Sequence, residues 1–111
     1  MAKTPENKAK DAIKKVLKEV CEARGLQYRI DWHAGSQFTS TLDGTGVVAG
    51  HAVVIEVKRF DENESPTARQ RINMREFGDA GAAVFDIIDL TSLNYFRHWL
   101  ETLEPREAYV P

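Results

Sequence analysis

The chain has 111 residues, of which 42% are hydrophobic and 29% charged, and its formal net charge is −2. This composition is typical of one ordinary globular domain over residues 1–111 and argues against disordered, collagen-like and coiled-coil classes. No apolar run approaches the ~20 residues of a membrane span, and the lysine-rich N-terminus lacks the apolar stretch of a signal peptide. We therefore expect a cytoplasmic protein with no membrane partner.

The first predicted element is an amphipathic helix over residues 5–24. Thr4 and Pro5 are typical of an N-cap followed by proline at the first helical position, and Gly25 ends the 3.6-residue apolar period. The single cysteine, Cys21, falls on the apolar stripe of this helix. It has no partner for an internal disulfide, so we expect a reduced core residue.

Three strands are predicted to follow the first helix. The segment from Leu26 to Trp32 alternates between apolar and polar residues, which is strand periodicity. A loop rich in Gly, Ser and Thr is expected over residues 33–41. Two β-prone runs then follow, at about residues 41–48 and 51–59, and the dipeptide Ala49-Gly50 between them predicts a hairpin.

The second half predicts a helix, a strand and a helix. After a polar loop over residues 61–66, Thr67 and Gln70 form a capping box that opens a helix over residues 67–79. The apolar run 82–88 has strand length, and Thr91 or Ser92 is expected to cap the last helix. The tail, residues 104–111, has no period and is expected to be flexible or packed on a partner. The predicted order is αβββαβα, an α/β (α+β) fold.

The pattern Glu56-x-Lys58 ends the apolar run Ala52-Val53-Val54-Ile55 of the third predicted strand. A period of two places both side chains on one face, with their Cα atoms ~7 Å apart. If the hairpin turn has two residues, Asp43 lies opposite Glu56. Two carboxylates at that distance repel unless one binds a proton or a cation lies between them.

Two carboxylates and the neighbouring backbone carbonyl of Val57 form a ligand set that suits Mg²⁺ or Mn²⁺. Lys58 on the same face would position a metal-bound water or stabilise charge on a phosphate. The simpler alternatives are an exposed Glu56–Lys58 salt bridge at a fraying strand end, and a turn residue at Asp43. The cluster is suited to phosphodiester hydrolysis if those alternatives fail.

The spacing Asp43-(x)12-Glu56-x-Lys58 resembles the PD-(D/E)xK nuclease superfamily, most closely the compact stand-alone VRR-NUC nucleases of phages and bacteria. The similarity extends over most of the chain, through the motifs at residues 4–6, 41–43, 46–50, 55–59, 66–70 and 80–82. It implies a single restriction-endonuclease-like domain with a mixed central sheet flanked by helices. It also implies a metal-dependent DNA endonuclease.

The resemblance implies a role for each matched residue. Asp43 and Glu56 match metal-binding acids, Lys58 matches the catalytic lysine, and Gln70 matches a glutamine on the helix that supports the site. Glu6 falls where such proteins often carry a glutamate that completes the metal site. The resemblance further implies Mg²⁺ or Mn²⁺, no nucleotide cofactor, and a homodimer that cuts branched or four-way-junction DNA. Such an enzyme would work inside a bacterial cell, with a bacterial or phage origin.

Several alternatives remain open at the sequence level. Gln70 is equally explained by the capping box alone, and Glu6 is favoured by the helix macrodipole without any metal. The sequence departs from the family at Gly44, where a bulky apolar residue is usual, and at Leu42, which replaces a proline. A non-catalytic DNA-binding or regulatory module with the same fold is the competing function, and a small structural protein is a third.

Two basic clusters are candidates for phosphate contacts, although a solvated helix face is the more frequent explanation of such clusters. Residues 1–24 hold seven Lys or Arg against four Asp or Glu. The first-helix cluster is Lys14, Lys15 and Lys18, and the second-helix cluster is Arg69, Arg71 and Arg75.

Overall fold

The computed structural model describes residues 5–33, 42–58 and 67–106, without the side chains of residues 5–7. Residues 34–41 of the predicted loop 33–41, the predicted loop 61–66 and the N-cap Thr4 lie outside this part of the chain. The observed elements are α1 (Pro5–Arg24), β1 (Tyr28–Trp32), β2 (Gly44–Val48), β3 (His51–Val57), α2 (Ala68–Asp79), β4 (Ala83–Ile87) and α3 (Leu90–Thr102). Their order is the predicted αβββαβα.

The strands form one mixed sheet in the order β1-β2-β3-β4. The pairs β1–β2 and β2–β3 are antiparallel, whereas β4 runs parallel to β3. A parallel neighbour requires a crossover connection, and α2 lies within this one. The α+β class and the mixed sheet are therefore confirmed.

The hydrophobic core lies between the sheet and the pair α1 and α3. Ile13, Phe96 and Leu100 from the helices and Ile55 and Ile87 from the sheet are fully buried. Cys21 is also buried and free, as predicted. In the described part of the chain, no helix has both the length and the apolarity needed to cross a membrane.

The second helix lies on the opposite face of the sheet. On β4, Phe85 packs against the ring of Phe96 in α3, with centroids 4.8 Å apart, while Val84 faces Gly78 of α2. No residue of α2 is fully buried, and Ile72 and Phe77 are 56% and 44% exposed. The two faces of the sheet therefore differ: α1 and α3 pack on one face with buried side chains, whereas α2 packs on the other face with only partly buried ones.

The end of α1 explains why β1 begins later than predicted. Gly25 has a φ of +67°, and its N–H donates to the Glu22 carbonyl at 3.3 Å. The Leu26 N–H donates to the Cys21 carbonyl at 2.9 Å, which completes a Schellman motif. Leu26 is thus part of the helix stop, and the strand starts at Tyr28.

The hairpin has the predicted two-residue turn and register. Val48 pairs with His51 and Gly44 pairs with Ile55. Ala49 and the residue after it have φ values of +48° and +86°, which is the left-handed backbone conformation of a type I′ turn. Extended by one residue, this register places Asp43 opposite Glu56, as predicted.

Two predictions for the C-terminal part are wrong. The N-cap of α3 is Asp89, because its carboxylate accepts from the Ser92 N–H at 2.8 Å and Ser92 closes a capping box. Residues 104–106 are packed against the hairpin turn, since the Arg106 N–H donates to the Ala49 carbonyl at 2.8 Å and the Glu104 carbonyl lies 2.6 Å from the His51 ring. The remaining tail, 107–111, lies outside the described residues.

Candidate functional site

Asp43 lies at the start of the hairpin, buried at 6% exposure. Its Oδ2 accepts a hydrogen bond from the Val57 N–H at 2.8 Å, and its Oδ1 lies 3.5 Å from Nζ of Lys10. The first contact ties the beginning of β2 to the end of β3, so Asp43 is not a solvent-exposed turn residue. Lys10 brings a charge from α1 that the sequence patterns did not assign to the site.

Glu56 is buried at 3% exposure on the face of β3 that meets α2. Its Oε1 accepts from Nε2 of Gln70 at 3.0 Å and lies 3.7 Å from Nζ of Lys58. Its Oε2 is buried without a hydrogen-bond partner among the described residues. Burial, and after it the neighbouring Asp43 carboxyl, raise the pKa of Glu56 from 4.5 to about 8, against the lowering effect of Lys58.

Gln70 has both functions that the sequence left open. As residue N3 of α2, its Oε1 accepts from the Thr67 N–H at 2.9 Å and closes the predicted capping box. The same Oε1 accepts from Nζ of Lys58 at 3.3 Å, while the amide nitrogen donates to Glu56. Gln70 therefore fixes the start of α2 and holds Glu56 and Lys58 together.

Asp86 on β4 is an acidic residue of this region that sequence analysis missed. In the parallel pairing it lies directly opposite Glu56, and its Oδ1 is buried without a partner in the described part of the chain. Burial raises the pKa of Asp86, and the Lys58 ammonium partly offsets that effect. The sequence carried one signal, a carboxylate inside the apolar run 82–88.

The donor set at Asp43 and Glu56 fits a hard divalent cation. Oε2 of Glu56 is a buried oxygen without a partner among the described residues. A strand residue directs its N–H and C=O to the same side, so the Val57 carbonyl faces the side on which its N–H meets Asp43. Mg²⁺ commonly binds through one or two carboxylates and keeps several waters.

The protein ligands alone do not complete such a site. Within residues 5–33, 42–58 and 67–106, no three Asp, Glu, His or Cys side chains are grouped to hold a metal ion. Water or substrate oxygens would fill the remaining positions around the ion. Glu6 lies one helical turn before Lys10, and its side chain is outside the described part, so its proposed ligand role stays a prediction.

The first-helix cluster is solvent-exposed and partly engaged elsewhere. Lys14 lies 5.4 Å from the centre of the Trp32 ring, which is a cation–π distance. Lys15 pairs with Glu19 at 3.9 Å, and Lys18 is exposed. The contacts of Lys14 and Lys15 therefore direct them to partners other than the acids of the site.

The second-helix cluster is closer to the site along the chain. Arg69 and Arg71 are exposed and immediately flank Gln70 on α2. Arg75, one turn after Arg71, lies 4.0 Å from Asp79. The first turn of α2 therefore presents two guanidinium groups to solvent next to the buried network.

The departure at Gly44 has a structural reason. A Cβ at this position would lie 3.1 Å from the ring of Trp32 and 3.2 Å from Cγ2 of Ile30. The two β1 side chains thus fill the space that a bulky residue at position 44 would need. Ile30 and Trp32 of β1 therefore supply the packing that a side chain at position 44 would otherwise give.

Comparisons of the chain with protein-family models, with curated proteins and with solved structures give no match. The function of the protein is therefore inferred from the residues and contacts given above.

Proposed function

We propose that this protein is a metal-dependent endonuclease that hydrolyses phosphodiester bonds in DNA. The observation that carries the proposal is the convergence of Asp43, Glu56, Lys58 and Gln70 where β2 begins, β3 ends and α2 begins. Gln70 donates to Glu56 at 3.0 Å, and Lys58 donates to Gln70 at 3.3 Å. The simpler alternative, an exposed Glu56–Lys58 salt bridge at a fraying strand end, does not account for two observations. Glu56 is buried, and the Gln70 amide binds both Glu56 and Lys58.

Asp43, Glu56 and the Val57 carbonyl are the groups that would hold Mg²⁺ or Mn²⁺. A divalent ion bound there would polarise the scissile phosphate and lower the pKa of an attacking water. The high pKa of Glu56, about 8, supports this assignment, because a cation compensates the carboxylate charge that burial disfavours. The ligands would then be held in position by the contacts that already exist in the chain.

Lys58 and Gln70 would act on charge and orientation. The Lys58 ammonium is on the same side of β3 as Glu56 and would stabilise negative charge that develops on the phosphate. Gln70 orients both partners through its amide, since its nitrogen donates to Glu56 and its oxygen accepts from Lys58. Because the Gln70 amide is uncharged, it holds Lys58 next to Glu56 without neutralising the charge of the lysine.

The exposed arginines beside Gln70 would bind the phosphates that flank the cleaved bond. Arg69 and Arg71 lie on the first turn of α2, and Arg75 follows on the next turn. We propose DNA, with branched DNA as the preferred form, as the substrate, and the bacterial cytoplasm as the place of action. A non-catalytic DNA-binding module with the same fold is the competing outcome.

A cleavage panel tests the proposal. Purified protein is incubated with duplex, flap and four-way-junction DNA in Mg²⁺, in Mn²⁺ and in EDTA. We expect cleavage only with a metal ion, and we expect Asp43→Asn and Glu56→Gln each to lower the rate at least ~100-fold, because each removes a ligand charge at constant shape.

Glu101→Gln, an equally small change at an exposed position of α3, is the matched control and should keep wild-type activity. DNA binding without cleavage in either metal would favour the non-catalytic module. Near wild-type cleavage by Asp43→Asn would contradict the site assignment.

A further inference from the structure

Lys10 is a lysine of α1 to which the proposed function gives no role. Its side chain is 13% exposed, whereas that of Lys15 on the same helix is 77% exposed. The neighbouring Ala9 and Ile13 are part of the hydrophobic core, so packing fixes the backbone that carries Lys10. Burying an ammonium group costs free energy unless an opposite charge compensates it. The acid that Lys10 meets is Asp43.

Each of the two proposed ligand acids has a lysine within 4 Å. Nζ of Lys10 lies 3.5 Å from Oδ1 of Asp43, and Nζ of Lys58 lies 3.7 Å from Oε1 of Glu56. Both lysine side chains are mostly buried. Lys10 belongs to α1 and Lys58 follows β3, so two distant parts of the chain bring one positive charge each.

The two acids differ in the oxygens that they leave for a metal ion. At Glu56, Lys58 meets Oε1, and Oε2 has no hydrogen-bond partner among the described residues. At Asp43, Oδ2 accepts from the Val57 N–H and Oδ1 faces Lys10. A carboxylate has about four lone-pair sites, so an ion can bind Asp43 beside these contacts. Lys10 therefore shares a ligand oxygen with the ion more directly than Lys58 does.

Charge limits how many divalent ions this region accommodates. Among the described residues, three acids meet two lysines here: Asp43, Glu56 and Asp86, with Lys10 and Lys58. One divalent ion changes the net charge of these ionised groups from −1 to +1, which the single negative charge of a phosphodiester neutralises. A second ion would add two further positive charges to a largely buried site, where uncompensated charge is costly.

A second divalent ion would also lack ligands. In the part of the chain that the structure describes, no three Asp, Glu, His or Cys side chains are grouped to hold a metal ion. Water and substrate oxygens can complete one ion that already has two carboxylates. A lysine ammonium, in contrast, supplies positive charge without needing a set of ligands of its own.

We propose that Lys10 is the second cation of this site, and that the site therefore binds one divalent ion. The proposal rests on the proposed function, since it concerns the metal site at Asp43 and Glu56. Like charges repel, so Lys10 also lowers the affinity of the site for the ion. That effect is what a substitution of Lys10 makes measurable.

A Mn²⁺ titration by calorimetry, on protein freed of metal with EDTA and then dialysed, gives both the number of ions and their affinity. We expect one Mn²⁺ per wild-type chain. Lys10→Met removes the charge and keeps a flexible apolar stem, so it should bind Mn²⁺ about tenfold more tightly. Lys10→Arg keeps the charge and should stay within about threefold of the wild-type affinity.

Lys18→Met is the matched control, because it removes the same charge from an exposed position of α1. Its Mn²⁺ affinity should equal that of the wild type. Circular dichroism checks that each variant is folded. The number of ions on the wild-type chain needs no variant, and paramagnetic resonance measures it independently, because two neighbouring Mn²⁺ ions give a spin-coupled spectrum.

Two Mn²⁺ ions per wild-type chain overturn the proposal. A Lys10→Met protein that binds Mn²⁺ no more tightly than the wild type also overturns it, and so does a Lys10→Arg protein that binds as tightly as Lys10→Met. One bound ion with the expected affinities but no DNA cleavage supports this proposal and contradicts the nuclease. Cleavage with two bound ions does the reverse, and a wild-type chain that binds no Mn²⁺ overturns both.

Discussion

Glu56 is the residue at which the contacts of the site meet. Its carboxyl accepts from Gln70, lies beside Lys58, faces Asp86 across the parallel pair and neighbours Asp43. Burial of such a group disfavours the charged form, and one adjacent lysine does not compensate for two adjacent acids. In the metal-free protein the folded state therefore favours a protonated Glu56.

This protonation makes stability depend on pH. The pKa of Glu56 is raised from 4.5 to about 8, so its protonated form favours folding, fully below pH 4.5 and progressively less as the pH rises towards 8. With EDTA present, wild-type protein should lose about 4 kcal/mol more unfolding free energy than Glu56→Gln between pH 5 and pH 8.5. Urea unfolding at the two pH values measures this difference.

Glu101→Gln is the control for the pH series and should follow the wild-type profile, since its side chain is exposed. Asp86 shifts in the same direction through burial, but its effect is present in every variant and cancels in the comparison. Parallel pH profiles for wild type and Glu56→Gln would show that Glu56 is ionised in the folded protein throughout.

Lys58 should affect turnover more than metal affinity. It contacts Gln70 and Glu56, and the proposed function does not assign it as a metal ligand. Lys58→Ala should therefore lower the cleavage rate ~100-fold while Mn²⁺ affinity changes little. Single-turnover cleavage and a Mn²⁺ titration by calorimetry measure the two quantities. Gln70→Ala is the variant to compare with Lys58→Ala, because it removes the contacts to both Lys58 and Glu56 at once.

Equal losses of rate and affinity in Lys58→Ala would show that the lysine mainly keeps the acids in place. The catalytic role assigned to it would then be withdrawn, while the metal site at Asp43 and Glu56 would stand.

At the scale of the elements, the pairing of β1 with β2 requires the two strands to approach closely at Gly46. Gly46 pairs with Ile30, and a Cβ at this position would overlap the carbonyl oxygen of Arg29. Backbone cannot yield as a flexible side chain does. We therefore expect Gly46→Ala to lower the free energy of unfolding by at least about 2 kcal/mol, measured by urea denaturation.

Gly78→Ala is the matched control for this change. Its Cβ would lie 3.7 Å from Cγ2 of Val84, an ordinary contact, and alanine is favoured over glycine inside a helix by about 1 kcal/mol. This variant should be as stable as the wild type or more stable. A Gly46→Ala protein of wild-type stability would show that β1 and β2 can separate without cost.

For the molecule as a whole, the proposed DNA binding would depend on how charge is distributed over the surface. A chain with a net charge of −2 repels DNA on average, so local clusters would have to supply the phosphate contacts. Neutralising Arg69 and Arg71 together should weaken binding to all DNA sequences alike and reduce the salt slope by ~1 for each phosphate that the protein no longer neutralises. Affinity is measured against salt concentration in an Asp43→Asn background, so that the DNA stays intact.

The comparison variant for DNA binding is Lys15→Gln/Lys18→Gln on α1, which removes the same charge. An unchanged slope in the arginine variant and a reduced slope in the lysine variant would move the DNA path from α2 to α1.

The sequence by itself determined those features that are encoded within a few neighbouring residues. Pro5 and Gly25 bound the first helix, the Thr67–Gln70 capping box begins α2, and the two-residue turn fixes the hairpin register. That register, with the period of two along β3, was enough to bring Asp43 towards Glu56 and to place Lys58 on the same face. Local turn and cap geometry leaves few alternatives, which is why these predictions hold.

Only the tertiary structure decided what approaches from distant parts of the chain. Lys10 reaches Asp43 from α1, and Asp86 lies opposite Glu56 because β4 pairs parallel with β3. The sequence patterns also did not predict Asp89 as the N-cap of α3 or the packing of residues 104–106 on the hairpin turn. Which strands become neighbours, and which helix covers which face, depends on the burial of the whole core, and no short pattern carries that information.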